Sequence, residues 1–262
     1  MCLNLLRRAY FLSRKKYLIS KLTLSRKPVI IDQGWIKLEL TDRDDEQMIQ
    51  YILKGRYWHK CDENVFRRFL KTGDVVIDIG ANVGFVTLEL ALIVGSKGKV
   101  VAIEPSKRTF AQLLRTLQLN EAVSVVPINL ACSSFKGEGD LYSIGPSSGL
   151  KTMRKPNNSA VNSKEPILVD TLDDILGRLE LGRADFIKID VEGHEAEVLK
   201  GAIHTLSAFR PIVYFEVSTT YGQQAYEAWA LLNSLGYSLD ITREDLGKIL
   251  NVRNVLALPR DV

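Results

Sequence analysis

From residue 74 onward, short and almost wholly apolar runs alternate with longer stretches in which apolar side chains recur every three or four positions. The first pattern suits strands buried on both faces, and the second suits helices that lay one apolar stripe on a sheet. The strands expected are Val75–Ile79, Lys99–Ile103, Val123–Leu130, Ile167–Val169, Phe186–Val191 and Ile212–Val217. The helices expected are Phe85–Val94, a segment through Phe110, Leu113, Leu114 and Leu117, then Thr171–Leu179, Glu195–Leu206 and Gln223–Leu235. Strands alternating with helices form βαβ units and a parallel sheet. The closing runs, Tyr237–Thr242 and Val255–Leu258, are separated by a polar segment too short for a crossover helix, so they are expected to pair antiparallel. The predicted fold class is α/β, a Rossmann-like doubly wound sheet of about seven strands whose last strand is antiparallel.

The alternation lapses between Ser133 and Ser163, where Gly137, Gly139, Gly145, Pro146, Gly149, Pro156 and the Asn157-Asn158 pair interrupt any regular element. The segment is expected to be an irregular surface insertion. Two readings stand for it, a substrate loop over the site or plain flexibility.

Charge adds a division of the chain. Residues 1–31 hold eight basic side chains and no acidic one, which leaves 27 basic against 31 acidic residues in the remainder. A slightly acidic main body argues against a nucleic-acid-binding surface there. The basic residues of the N-terminus interrupt its apolar ones, so it contains neither a membrane-spanning run nor the apolar core of a secretory signal. Residues 1–27 are then either a helix packed on the domain or a basic amphipathic helix lying peripherally on an anionic membrane. The division expected is a basic extension with a small accessory segment over residues 1–54 and the principal domain over residues 55–262. Cys2, Cys61 and Cys132 show no CxxC pair and no even framework, as suits free thiols in the cytoplasm.

The sharpest local pattern is Asp78-Ile79-Gly80-Ala81-Asn82-Val83-Gly84-Phe85, where a buried strand turns into a helix. Gly80 and Gly84 permit a tight turn and a close ligand, and the helix N-terminus beyond them presents N–H groups to an anion. Asp78 would repel a pyrophosphate but suits a ligand carrying an ammonium group, such as the methionine part of S-adenosylmethionine. The G-x-G-x-x-G spacing of a dinucleotide site is missing. Asp78, Gly80, Asn82, Gly84 and Phe85 are the cofactor-binding residues expected from this turn. Glu104 ends the second strand 26 residues after Asp78, where a carboxylate can accept both hydroxyls of a ribose. A third run, Phe186–Glu195, carries Asp190, Glu192 and His194 to the same sheet edge. Glu195 and Glu197, in a first helical turn, are explained by the helix dipole alone.

Together, Gly73–Gly84, Gly98–Pro105, Leu172-Asp173-Asp174 and Phe186–Gly201 resemble the FkbM-type methyltransferase family over roughly residues 55–217. The resemblance implies a class I methyltransferase fold and S-adenosyl-L-methionine as donor. It also implies an oxygen acceptor on a sugar, a polyketide or another small molecule.

For an alcohol acceptor a base is needed, and His194, whose ordinary pKa lies near neutrality, is the first candidate, with Asp190 and Glu192 beside it. The alternative for His194 is to cap the next helix. Asp190 and Glu216, at neighbouring strand ends, offer hard oxygen ligands to Mg²⁺ as a second mechanism, although no metal is expected. His59 and His204 are read as structural or solvated, and Tyr57 and Trp58 as packing or as a cover for the site. Two other functions remain open: a nicotinamide-dependent oxidoreductase, which would need a third glycine and parallel last strands, and a non-catalytic module with the Asp190–His194 loop turned from any pocket.

Overall fold

The protein was analysed as a computed structural model that describes residues 29–32, 36–40, 60–144, 151–155, 161–217, 222–242, 246 and 253–260. Seven strands form the central sheet: β3 (Val75–Ile79), β4 (Lys99–Ile103), β5 (Val125–Ile128), β10 (Phe186–Ile189), β11 (Ile212–Val217), β12 (Tyr237–Leu239) and β13 (Arg253–Pro259). Their spatial order is β12-β13-β11-β10-β3-β4-β5. Neighbours from β5 to β11 run parallel, and β13 lies antiparallel to both β11 and β12. The expected antiparallel ending is present, with β13 wedged between two earlier strands.

The apolar runs follow from burial on both faces. Ile77, Ile103, Ile187 and Val213 point into one core, shared with helices α4 (Leu172–Arg178), α5 (Glu195–Lys200), α6 (Ile203–Ala208) and α7 (Gly222–Ser234). Val76, Val100, Phe186 and Tyr214 point into the other, shared with α1 (Lys60–Phe69), α2 (Phe85–Val94) and α3 (Lys107–Leu119). Successive residues of a strand face opposite sides, so a strand covered twice is mostly apolar, and a polar residue in it, such as Asp78 or Lys188, has to find a buried partner. The hairpin of β1 (Val29–Asp32) and β2 (Lys37–Leu40) adds Ile36 and Leu38 to this second core. Asn120 at the end of α3 accepts from the Lys37 backbone N–H and donates to its carbonyl, fixing the hairpin in place.

Two expectations need correction. The described residues of the insertion after Ser133 are regular: β7 (Gly137–Ile144), β8 (Lys151–Thr152) and the ten-residue β9 (Val161–Asp170) join β6 (Ala131–Cys132) in a four-stranded sheet. Gly139 does not break β7, because it sits where a Cβ would come within 2.9 Å of Val169 Cγ2. The helix expected over Glu195–Leu206 is divided after Gly201, a position that the carbonyl oxygen of Ser133 approaches so closely that a Cβ would collide with it. Among the described residues no helix is long and apolar enough to cross a membrane. The basic segment 1–27 and the residues Tyr57, Trp58 and His59 lie outside the described residues.

Candidate active site

The sheet order reverses between β3 and β10, and in open α/β sheets ligands lie beyond the carboxyl ends of the strands at such a reversal. Every element of the site reaches that edge. β3 ends at Ile79, and the chain turns through Gly80 (φ 80°), Asn82 (φ 50°) and Gly84 (φ 90°) into α2. A side chain at Gly80 would strike the carbonyl oxygen of Asp190, so only glycine lets the two strand tips stand this close. The N–H groups of Gly80 and Ala81 both donate to Ile103 O at 3.0 Å, which ties the turn to the end of β4. Gly84 is the N-cap of α2 and no side chain caps that end, while half-buried Phe85 opens the helix.

Glu104 follows β4 and is almost fully buried. Its Oε2 accepts from Asn82 N (3.1 Å) and its Oε1 from Ser106 N (3.0 Å), so both oxygens are oriented by main chain. Burial pushes the carboxyl up to about 7, against the lowering effect of those N–H groups and of Lys151 and Lys188. Each oxygen keeps further lone-pair capacity, as a carboxylate meeting a diol requires.

Asp78 lies beneath the turn and is fully buried. Thr87 Oγ1 donates to its Oδ2 at 2.6 Å, and Lys188 Nζ stands 3.3 Å from its Oδ1. The ammonium that Asp78 meets is therefore the chain's own. Lys188 also donates to Gly80 O (3.2 Å) and stands 3.4 Å from Asp190 Oδ2. Burial disfavours its charge, yet Asp190 and Asp78 hold it protonated above the ordinary lysine range. Sequence reasoning passed over Lys188 as a functional residue. A lysine inside the apolar run Phe186–Ile189 was the available signal, since a buried ammonium demands buried partners.

Asp190, Glu192 and Glu216 converge, each with a carboxylate oxygen within 4.8 Å of the others. Burial first, then Asp190 and Glu195, push Glu192 up to about 8. Glu216 is raised too, by burial first and then by Asp190, Glu192 and Glu195. Glu195 has more than its expected dipole role: its Oε1 accepts from Val191 N (3.3 Å) and Gly193 N (3.1 Å), bracing the loop. The trio can anchor a hydroxyl, take up its proton or hold a hard cation.

His194 belongs elsewhere, which corrects its expected place beside Asp190 and Glu192. Glu192 (φ 53°) and Gly193 (φ 91°), both left-handed, precede it, and the charges that act on its ring are those of Glu197 and Lys200. Its Nε2 lies 2.9 Å from the hydroxyl of fully buried Ser133, and burial lowers its pKa. His194 does occupy the N-cap position of α5, but its side chain makes no capping bond. His204 is exposed and meets Phe209 edge-on.

These residues fit an adenosyl amino acid: an oriented buried carboxylate for the ribose, a glycine cradle without side chains and an open helix N-terminus for a carboxylate. The strand order, with one antiparallel strand wedged beside a parallel sheet, and this glycine turn define a class I methyltransferase. The family model of the methyltransferase FkbM domain matches residues 78–239, more than half of the chain, and the chain belongs to that family. S-adenosylmethionine is its methyl donor, which sets aside the nicotinamide reading. Among curated relatives, the hexuronic acid methyltransferase AglP of Haloferax volcanii is 27% identical over 187 residues, covering 70% of this chain and 72% of that protein. Methyltransferase 1 of Beauveria bassiana is 26% identical over 187 residues, covering 65% and 74%. A solved candidate rRNA methylase of Clostridium thermocellum shares the fold, with a TM-score of 0.50 and 11% identity over 75% of this chain and 91% of that one.

Proposed function

We propose that this methyltransferase acts on a hydroxyl oxygen of a neutral sugar or a similarly hydroxylated small molecule, with Asp190, Glu192 and Glu216 facing the acceptor. The observation that carries this reading is the convergence of those three carboxylates beside Lys188 at the tips of β10 and β11. The bound donor supplies an electrophilic methyl group on a sulfonium centre. Glu104 holds the ribose hydroxyls, and the open end of α2 holds the amino-acid carboxylate. Asp190, kept beside the Lys188 ammonium, accepts a hydrogen bond from the acceptor and orients it. Glu192 takes the hydroxyl proton as the oxygen forms its new bond, and its basic form grows as pH rises through about 8. Turnover should therefore climb between pH 7 and 9.

The Haloferax volcanii relative is named for hexuronic acid. An acidic sugar entering this site would bring its carboxylate beside Asp190 and beside the ionised, proton-accepting form of Glu192, and like charges at such range repel. A neutral acceptor is favoured here.

Methyl-labelled S-adenosylmethionine offered with neutral sugars, hexuronic acids and polyols tests the proposal. The expected result is label on neutral sugars, undiminished by a chelator. Glu192→Gln should lower turnover by about 10²–10⁴-fold and flatten the pH profile while retaining cofactor. Transfer confined to hexuronic acids would overturn the acceptor class. An absolute requirement for added Mg²⁺ would make the trio a cation site instead.

A further inference from the structure

The four-stranded sheet reaches back to the cofactor side through two charged residues far away in sequence. Lys151 on β8 donates from Nζ to Ser106 Oγ (2.8 Å) and to Thr109 Oγ1 (2.7 Å). Glu165 on β9 accepts from Ser106 Oγ (3.0 Å) and from the Lys107 backbone N–H (2.9 Å). All of these partners lie in or just before the first turn of α3, directly after Glu104. Ser106 is fully buried, and its hydroxyl donates to Glu165 while accepting from Lys151. Its backbone N–H is one of the two donors that orient Glu104.

A sheet can dock on a helix through apolar contacts alone. A lysine ammonium and a glutamate carboxylate meeting on one buried hydroxyl fix that hydroxyl in one geometry, because its donor and its acceptor are both engaged there. Ser106 cannot shift without moving the donor on Glu104 Oε1.

We propose that Lys151 is a positioning residue for cofactor binding: by holding Ser106 and Thr109 it fixes the main-chain donor that orients Glu104 toward the ribose. The inference rests on the reading of Glu104 as the ribose ligand. The insertion is then part of the cofactor site. Charge supports the geometry, since Lys151 lowers the pKa of Glu104. The other charged groups around Glu104 are Lys188 from β10, itself paired with Asp78 and Asp190, and Glu165, which reaches it only through Ser106.

S-adenosylhomocysteine, titrated by calorimetry from pH 6 to 9, separates positioning from mere support. Binding needs ionised Glu104, so the wild-type affinity should rise with pH and level off above about 7. Lys151→Met should weaken binding at pH 7 by about fivefold, the loss of ionised Glu104 when a group titrating at about 7 moves up by one pKa unit. Its midpoint should move to higher pH, so that the deficit shrinks towards pH 9. Lys151→Arg should restore both. Unchanged binding in Lys151→Met, or a loss equal at every pH, overturns the inference.

Glu104→Gln serves as the control. If that variant binds normally, the reading of Glu104 has failed; if it binds weakly while Lys151→Met does not, only the inference has. Should Lys151→Met not fold, hydrogen exchange on the wild-type chain decides, because coupling between sites is reciprocal. S-adenosylhomocysteine should then slow exchange at the amides of β8 as well as at Ser106–Thr109, and unslowed β8 amides overturn the proposal.

Discussion

Glu104 is buried almost completely, yet it must carry charge to accept two ribose hydroxyls. Two backbone N–H groups and two lysines make that tolerable, and the hydroxyls of a bound ribose would add to them. Glu104→Gln keeps the shape and removes the charge, so S-adenosylhomocysteine binding should weaken by roughly 1–3 kcal/mol. Calorimetry measures the loss, and circular dichroism should show the fold intact. His194 makes the contrasting case. Its Nε2 is engaged with Ser133, away from the carboxylate trio. His194→Ala should lower the melting temperature and leave the pH profile of turnover unchanged, while a flattened profile would return His194 to the chemistry.

At the scale of elements, what could be read in the sequence depended on whether local pattern or distant contact decides the structure. Val75–Ile79 and Lys99–Ile103 were legible to the residue, because a strand covered on both faces is apolar except where a buried polar group finds its own partner, as Asp78 does in Thr87 and Lys188. The glycine turn and Glu104 were legible for the same reason: a tight turn and a charge at a strand end announce themselves locally. The sheet β6–β9 was not, since Ser163 and Lys164 are exposed and are held by their pairing with Ser143 and Tyr142 of β7 rather than by any pattern of their own. Nor was the direction of His194, whose ring meets Ser133, distant in sequence. The break at Gly201 is a further case, with φ −82°, a conformation open to any residue. Replacing glycine with alanine at such a position ordinarily stabilises by about 0.4–1 kcal/mol. Here the Ser133 carbonyl blocks the added methyl, so Gly201→Ala should lower the urea midpoint instead. A raised midpoint would show that Ser133 and the α5–α6 junction can separate at little cost.

For the molecule as a whole, the site concentrates carboxylates that resist ionisation. Burial is the largest cause at each of four: Glu104 and Glu195 are raised to about 7, Glu192 to about 8 and Glu216 to about 9. An acid whose pKa is higher in the folded chain binds more protons there than when unfolded. The stability this confers is complete below the ordinary glutamate value and is lost as pH rises through the folded values. His194, lowered by burial, acts oppositely and destabilises as pH falls below its ordinary value of 6.5. The cofactor-free protein should therefore melt at progressively lower temperature from pH 6.5 to 9. S-adenosylhomocysteine binds the state in which Glu104 is ionised, and a ligand stabilises in proportion to the logarithm of one plus its concentration divided by its Kd. The rise in melting temperature on adding it should accordingly be larger at pH 9 than at pH 6.5, opposing the trend of the free protein. Scanning calorimetry at both pH values, with and without ligand, measures the two slopes together. Glu192→Gln, which removes one of the four titrations, should flatten the free-protein slope and leave the ligand effect in place. A melting temperature that holds steady or climbs from pH 6.5 to 9 in the free protein would mean that these carboxylates are already ionised at neutral pH, and the assignment of Glu192 as a base awaiting its charge would fall with it.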